Sequence, residues 1–173
     1  YLLTAMVLIQ AVRPFLPIPA HIDRTAYEIR GWDELGQKAA DLQRAMPASS
    51  DTFIFSFGYQ LASEMAFYMP GQPQTVSINR WGRPNVYDYW WQDGDLIGKD
   101  AIGVVGKPNR RDRLLQVFER VDPPIPSHLY AGRIDPQTEG RPTPLKTFYL
   151  YRCYGFKGGL RWVPRDKGDV RAS

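Results

Sequence analysis

The chain has 173 residues, of which 43% are hydrophobic, 23% charged and 13% aromatic, and its formal net charge is +4. That much apolar mass offsets ordering entropy and excludes disorder, while the length suits one ordinary globular domain. No Lys/Arg tract interleaves with aromatics, so nucleic acid is not an expected partner, and the lone Cys153 excludes an internal disulfide and a cysteine-based zinc cluster.

Tyr1 to Val12 (YLLTAMVLIQAV) is nearly all apolar, and Arg13 with the proline-punctuated RPFLPIPA follows it. A spanning helix needs roughly 20 apolar residues, so this stretch alone falls short. Three readings stay open: the end of a membrane helix with Arg13 and the prolines at its exit, an ordinary buried helix, or a signal-peptide remnant ending before His21. An opening Tyr1 in place of Met points to an excerpt of something longer or to a processed chain. Residues 1–20 are therefore read as a membrane-helix end or apolar lead-in, 21–163 as one soluble domain and 164–173 as a polar tail.

Gly31 to Met46 predicts an amphipathic helix. Trp32, Leu35, Ala39, Leu42 and Met46 recur at helical spacing, Asp33 and Glu34 sit in the first turn, and Pro47 stops it. The run TFIFSF after Asp51 predicts a buried strand. Tyr59 to Met69 predicts a second helix, with Leu61, Ala62, Met65 and Tyr68 on one side and Pro70-Gly71 as its end. Thr75 to Ile78 is a second strand, a polar and aromatic loop runs from Asn79 to Gly98, and Asp100 to Val105 is a third strand. Arg110 to Val121 predicts a helix with Leu114, Leu115, Val117, Phe118 and Val121 inward. Strands at Leu129 to Ile134 and Lys146 to Tyr154 form a hairpin across a long loop. This order predicts a small α/β, three-layer, Rossmann-like sandwich: a mostly parallel sheet with an antiparallel edge hairpin.

Known chemical signatures are missing. There is no Gly-x-Gly-x-x-Gly after a strand, no phosphate-binding Gly-x-x-x-x-Gly-Lys-Ser/Thr and no Gly-x-Ser-x-Gly elbow. His21 and His128, the two histidines, show no metal-ligand spacing. The informative stretch is Tyr59 to Trp91. Tyr59, Ser63 and Glu64 are placed to point toward a loop holding Trp81, Tyr87, Asp88, Tyr89, Trp90 and Trp91. Such a mixture suits sugar stacking and hydroxyl binding, and equally a half-wet membrane interface. The plainer alternative is that these aromatics roof the sheet. The basic run Lys107, Arg110, Arg111 and Arg113 is either a solvated helix start or a contact for lipid phosphates, with Arg110 and Arg111 as the candidate contacts.

The pattern Tyr59-Gln60-Leu61-Ala62-Ser63-Glu64, then Ala66 to Gly71, then Asn85-Val86-Tyr87-Asp88-Tyr89-Trp90, resembles a bacterial family. With Gly31 to Leu35 upstream and Gly98 to Ala101 downstream, it is similar to the carboxy-terminal soluble region of family 39-type (dolichyl-phosphate-mannose–protein mannosyltransferase-like) GT-C membrane glycosyltransferases. The resemblance covers roughly Tyr1 to Val105. It implies many membrane helices, a polyprenyl-phosphate-linked sugar as donor, and transfer at the extracytoplasmic face of the inner membrane. It places the catalytic acid, often with a divalent metal nearby, in an early loop of the membrane part. No position here matches that motif, so the implied role is accessory, with no catalytic residue and no cofactor of its own. The implied partners are the membrane part of the same polypeptide, the donor and the membrane surface. Substrate contacts are expected from Tyr59, Glu64, Trp81, Tyr87, Asp88, Trp90 and Trp91. A free-standing small-ligand or carbohydrate-binding module is the rival expectation, and a domain with no ligand of its own is a third.

Overall fold

The architecture comes from a computed structural model that describes residues 1–12, 28, 30–82, 84–130 and 144–161. In chain order the elements are α1 (Leu2–Val12), α2 (Trp32–Arg44), β1 (Phe53–Ser56), α3 (Tyr59–Tyr68), β2 (Thr75–Ser77) and α4 (Tyr87–Trp90). Then come α5 (Asp93–Leu96), β3 (Ala101–Val105), α6 (Arg111–Leu114), β4 (Phe118–Val121), β5 (Ile125–Tyr130) and β6 (Pro144–Phe156). The chain is α/β, built on a mixed, open, six-stranded sheet.

Alternation along the strands divides the apolar residues between two cores. Phe53 and Phe55 of β1, Val76 of β2, Ala101 and Val105 of β3, and Tyr151 and Cys153 of β6 face one way. Their neighbours Ile54, Ile102, Val104 and Leu150 face the other way, onto α2 and α3. On the first face the covering layer is α6 together with the chain around Trp81, Trp91, Leu96 and Leu160. Phe55 stacks on Phe118 at 5.3 Å, and Phe118 meets Phe156 at 5.3 Å, so one aromatic row ties β1, β4 and β6 together. Fully burying such a ring stabilises by about 1.5–3 kcal/mol.

The sheet has two halves. β1 pairs in parallel with β2 on one side and β3 on the other. β3 then meets β6 antiparallel, from Ala101↔Cys153 to Val105↔Tyr149. The far edge of β6 is shared: β4 lies along Val121↔Cys153 to Phe118↔Phe156, and β5 along Ile125↔Leu150 to Tyr130↔Pro144. The expected hairpin is therefore present, and its β6 strand sits inside the sheet instead of at its rim. Parallel pairing is confined to β2–β1–β3, so the sheet is mixed where the sequence predicts a mostly parallel one.

One expected element changes type. Arg110 to Val121 reads as a helix, yet only Arg111–Leu114 is helical, and Phe118–Val121 is β4. Leu114, Val117, Phe118 and Val121 are all buried as expected. An apolar set at this spacing satisfies both periods, and the unfilled edge of β6 decides for a strand. In the same way β5 begins at Ile125, earlier than the predicted Leu129, with Pro126 tolerated on an edge strand. Residues 131–134 of the predicted strand, Arg13 to Ala20 and the polar tail lie outside the described residues.

Gly36 of α2 lies against the backbone of α3: a Cβ there would sit 2.7 Å from the Tyr68 carbonyl oxygen. Helix propensity alone would make Gly36→Ala stabilising by about 1 kcal/mol. The obstacle is backbone, which cannot swing aside, so overpacking of about 1–3 kcal/mol should dominate. Urea denaturation of Gly36→Ala should show a lower midpoint; a higher one would mean that α2 shifts freely on α3.

Candidate functional site

Just beyond the β2 edge of the sheet, α3, the turn after it and α4 enclose a groove of ≈ 520 Å³. Its walls are Ala66 from α3, Gln72, Pro73 and Gln74 from the turn, and Tyr87, Trp90 and Trp91 from α4 and its end. The turn is tight: Gly71 has φ +78, Gln72 follows at φ +46, and the Gln72 N–H donates to the Met69 carbonyl at 3.0 Å. That bend throws the chain back alongside α3, where the Thr75 hydroxyl donates to the Ala62 carbonyl at 2.7 Å.

The aromatics expected from the sequence divide by role. Tyr87 is buried, with its hydroxyl 3.0 Å from Ser63 Oγ and its ring 4.7 Å from that of Trp90. Trp91 packs against the first core, and its indole N–H donates to the Thr75 carbonyl at 3.1 Å. Trp90 is 61% exposed and Tyr89 83% exposed. A half-wet indole beside a cavity, held by a buried neighbour, is a ready stacking platform. Asp88 holds the loop: its Oδ2 accepts from the Asn85 N–H at 2.8 Å and from Asn79 Nδ2 at 3.2 Å. Trp81 stands apart from the groove, edge-on to Phe57 at 5.3 Å with the Arg113 guanidinium 5.9 Å above its ring. Tyr59 is exposed at the start of α3 and is not among the groove's lining residues.

Glu64 also leaves the groove. It is one residue beyond Ser63 on α3, which turns it by about 100°, and it faces Lys146, whose Nζ lies 4.3 Å from the centre of the Trp32 ring. Burial raises the Glu64 carboxyl above its ordinary value, against the attraction of Lys146. Burial likewise lowers the Lys146 ammonium. Glu64 is half-buried, so solvent screens much of the effect on it, whereas Lys146 is buried. The pair works in the second core and its surroundings, across the sheet from Trp81.

Two side chains of the basic run, Arg111 and Arg113, hold structure. Arg111 Nε donates to the Val121 carbonyl at 3.1 Å, and Arg113 lies over Trp81. The Arg110 N–H lies 3.5 Å from the Tyr151 hydroxyl, which itself donates to the Pro108 carbonyl. Among the described residues no group of three His, Cys, Asp or Glu side chains is placed to hold a metal ion. Burial pushes the Cys153 thiol well up, so this side chain is a packing group and not a nucleophile.

Sequence reasoning found Tyr87, Trp90 and Trp91. It passed over Gln72, Pro73 and Gln74, which line the groove together with the indole. Their signal was the Pro70-Gly71 stop with Pro73 two residues after Gly71, which favours a doubled-back turn.

Two stability measurements follow. Trp91→Ala should lower stability by about 3 kcal/mol, as for a large ring lost from a packed site. Trp90→Ala should cost about 1 kcal/mol or less, its main loss being the ring contact with Tyr87. Equal losses in urea melts would place Trp90 in the core. For Glu64 the sign is set by its raised pKa: the folded chain holds this proton more tightly than the unfolded chain. Stability should therefore fall as pH rises through the glutamate range, and Glu64→Gln should flatten that slope in urea midpoints measured against pH. The chain matches no family model, no curated protein and no solved structure.

Proposed function

We propose that this chain is the soluble, extracytoplasmic region of an inner-membrane glycosyltransferase that draws its sugar from a polyprenyl-phosphate carrier. Its part is accessory: it presents an aromatic groove at the membrane surface while the transfer chemistry belongs to the membrane part. The observation that carries this reading is α1. Leu2, Leu3, Val7, Leu8 and Ile9 are each more than half exposed, and the helix has no charged residue. A helix that is apolar all round belongs in lipid or in a protein interior, since water on every face costs it the whole hydrophobic term. No helix among the described residues is long and apolar enough to cross a membrane. α1 extends about 16 Å, roughly half of a ~30 Å hydrocarbon core.

The groove supports the sugar half of the proposal. None of its lining side chains is charged, so it suits a neutral pyranose that stacks on Trp90 and exchanges hydrogen bonds with the Gln72 and Gln74 amides. The resemblance over Tyr1 to Val105 supplies the donor class and the side of the membrane. A Rossmann-like reading of the fold rests on the β2–β1–β3 parallel order with α3 as its crossover. The groove also favours a second reading, a free-standing carbohydrate-binding module, because it requires no membrane part.

Vesicle flotation and tryptophan fluorescence separate the two. The chain should float with neutral phosphatidylcholine vesicles and lose at least tenfold in partition on Leu3→Asp with Val7→Asp, each Asp costing about 2.5–3.5 kcal/mol at the centre of a lipid-embedded helix. Polyprenyl-phosphate-hexose in those vesicles should shift the fluorescence of the wild type and leave Trp90→Ala unchanged. A shift with free hexose but no flotation would establish the free-standing module.

A further inference from the structure

A second cavity, of ≈ 610 Å³, opens on the first face of the sheet between the residues after β2, α5 and the chain that leaves β6. Arg80, Lys157 and Arg161 converge on it. The acid among its lining residues is Asp93, and both of its oxygens are already engaged by backbone: Oδ2 accepts from the Gly159 N–H at 3.0 Å and Oδ1 from the Leu160 N–H at 2.9 Å. Asp93 therefore organises the Gly158-Gly159-Leu160 turn, and it stands as one negative charge against three positive ones. The cavity is left with an excess of positive charge.

How the cations are held matters as much as their number. Lys157 Nζ donates to the Leu115 carbonyl at 2.8 Å, which uses one of its three protons. Arg161 Nη2 donates to Gln92 Oε1 at 2.7 Å, fixing one edge of its guanidinium and leaving the other edge open. Among the described residues Arg80 makes no hydrogen bond and no ion pair. It lies against the bare backbone of Gly159, where a Cβ would come within 2.6 Å of Arg80 Nη1. Gly158 and Gly159 have φ +100 and +98, so this turn is open to glycine and closed to most other residues. Two pinned cations and one uncommitted guanidinium around a common space repel one another unless an anion sits between them, and guanidinium edges match the oxygens of phosphate.

We propose that this cavity is an anion site for a phosphate or pyrophosphate group, read by Arg80, Lys157 and Arg161. It is separate from the neutral aromatic groove, and it does not depend on the transferase reading. A soluble compound and a lipid headgroup are the two sources of such a phosphate; the recognition chemistry is shared.

The test is calorimetric titration of the intact chain with inorganic pyrophosphate, beside sedimentation with phosphatidylglycerol and with phosphatidylcholine vesicles. The variants are Arg80→Gln with Arg161→Gln, and Lys38→Gln as a control that changes charge on the opposite face. Saturable pyrophosphate binding that the double variant weakens at least tenfold and Lys38→Gln leaves intact establishes the site for an accessible phosphate. Without pyrophosphate binding, capture by phosphatidylglycerol in excess of that by phosphatidylcholine, the excess lost in the double variant and kept in Lys38→Gln, assigns the site to a headgroup. The proposal is overturned if neither probe binds. It is equally overturned if the double variant, folded by circular dichroism, binds as the wild type does, or if Lys38→Gln loses as much as the double variant.

Discussion

Everything in this fold hangs on the pairing of β3 with β6. β3 is the inner end of the parallel half of the sheet, and β6, at 13 residues, is long enough to serve three neighbours. One edge of β6 takes β3; the other takes β5 along its first part and β4 along its second. Without that junction the β2–β1–β3 unit has an open edge, and β4 and β5 have nothing to pair with. The junction also sets the two cores. Facing Tyr151, Gly103 carries no side chain, and the space is filled by the Phe55 ring, which would lie 2.5 Å from an added Cβ. The aromatic row on the first face can therefore close over the centre of the sheet.

From that frame the two cavities acquire opposite chemistry. The groove beyond β2 is built from one helix face, a doubled-back turn and α4, all of them apolar or neutral at that point. In the proposed function its selectivity rests on stacking and on amide hydrogen bonds, which suits hydroxyl-rich and uncharged ligands. The second cavity gathers side chains from three widely separated stretches, around Arg80, Asp93 and Lys157 to Arg161. Its acid is held by two backbone donors, and three cations outnumber it. A molecule with a neutral sugar and a phosphate combines the two preferences, though each cavity stands on its own geometry.

The aromatic stretch from Tyr59 to Trp91 was legible as a region and not as a site. Composition marked Trp90 together with the other aromatics of the stretch, and the structure leaves it 61% exposed. Composition could not separate Trp90 from Trp91, its neighbour in sequence, because a change in backbone direction at the end of α4 sends one ring to solvent and the other to the core. Nor could it separate Ser63 from Glu64. A helix turns by about 100° between neighbours, and which of them meets Tyr87 and which meets Lys146 depends on where β6 lies.

The sequence by itself determined α2, β1, α3, β2 and β3, because each rests on a local period with its own stop signal: Trp32, Leu35 and Ala39 before Pro47, or Phe53 to Ser56 before Gly58. It likewise determined four of the five inward residues after Arg110, with Leu115 only half-buried. Tertiary structure alone decided that Phe118 to Val121 is a strand, since Leu114, Val117, Phe118 and Val121 fit a helical stripe until the free edge of β6 offers backbone partners. The same holds for the basic cavity. Arg80 and Lys157 are far apart in the chain, and their meeting follows from the Asn79 N–H bonding to the Leu160 carbonyl at 2.7 Å, a contact that no local pattern encodes. Short-range periodicity reports which face of a segment is apolar; only the closed sheet determines what that face meets.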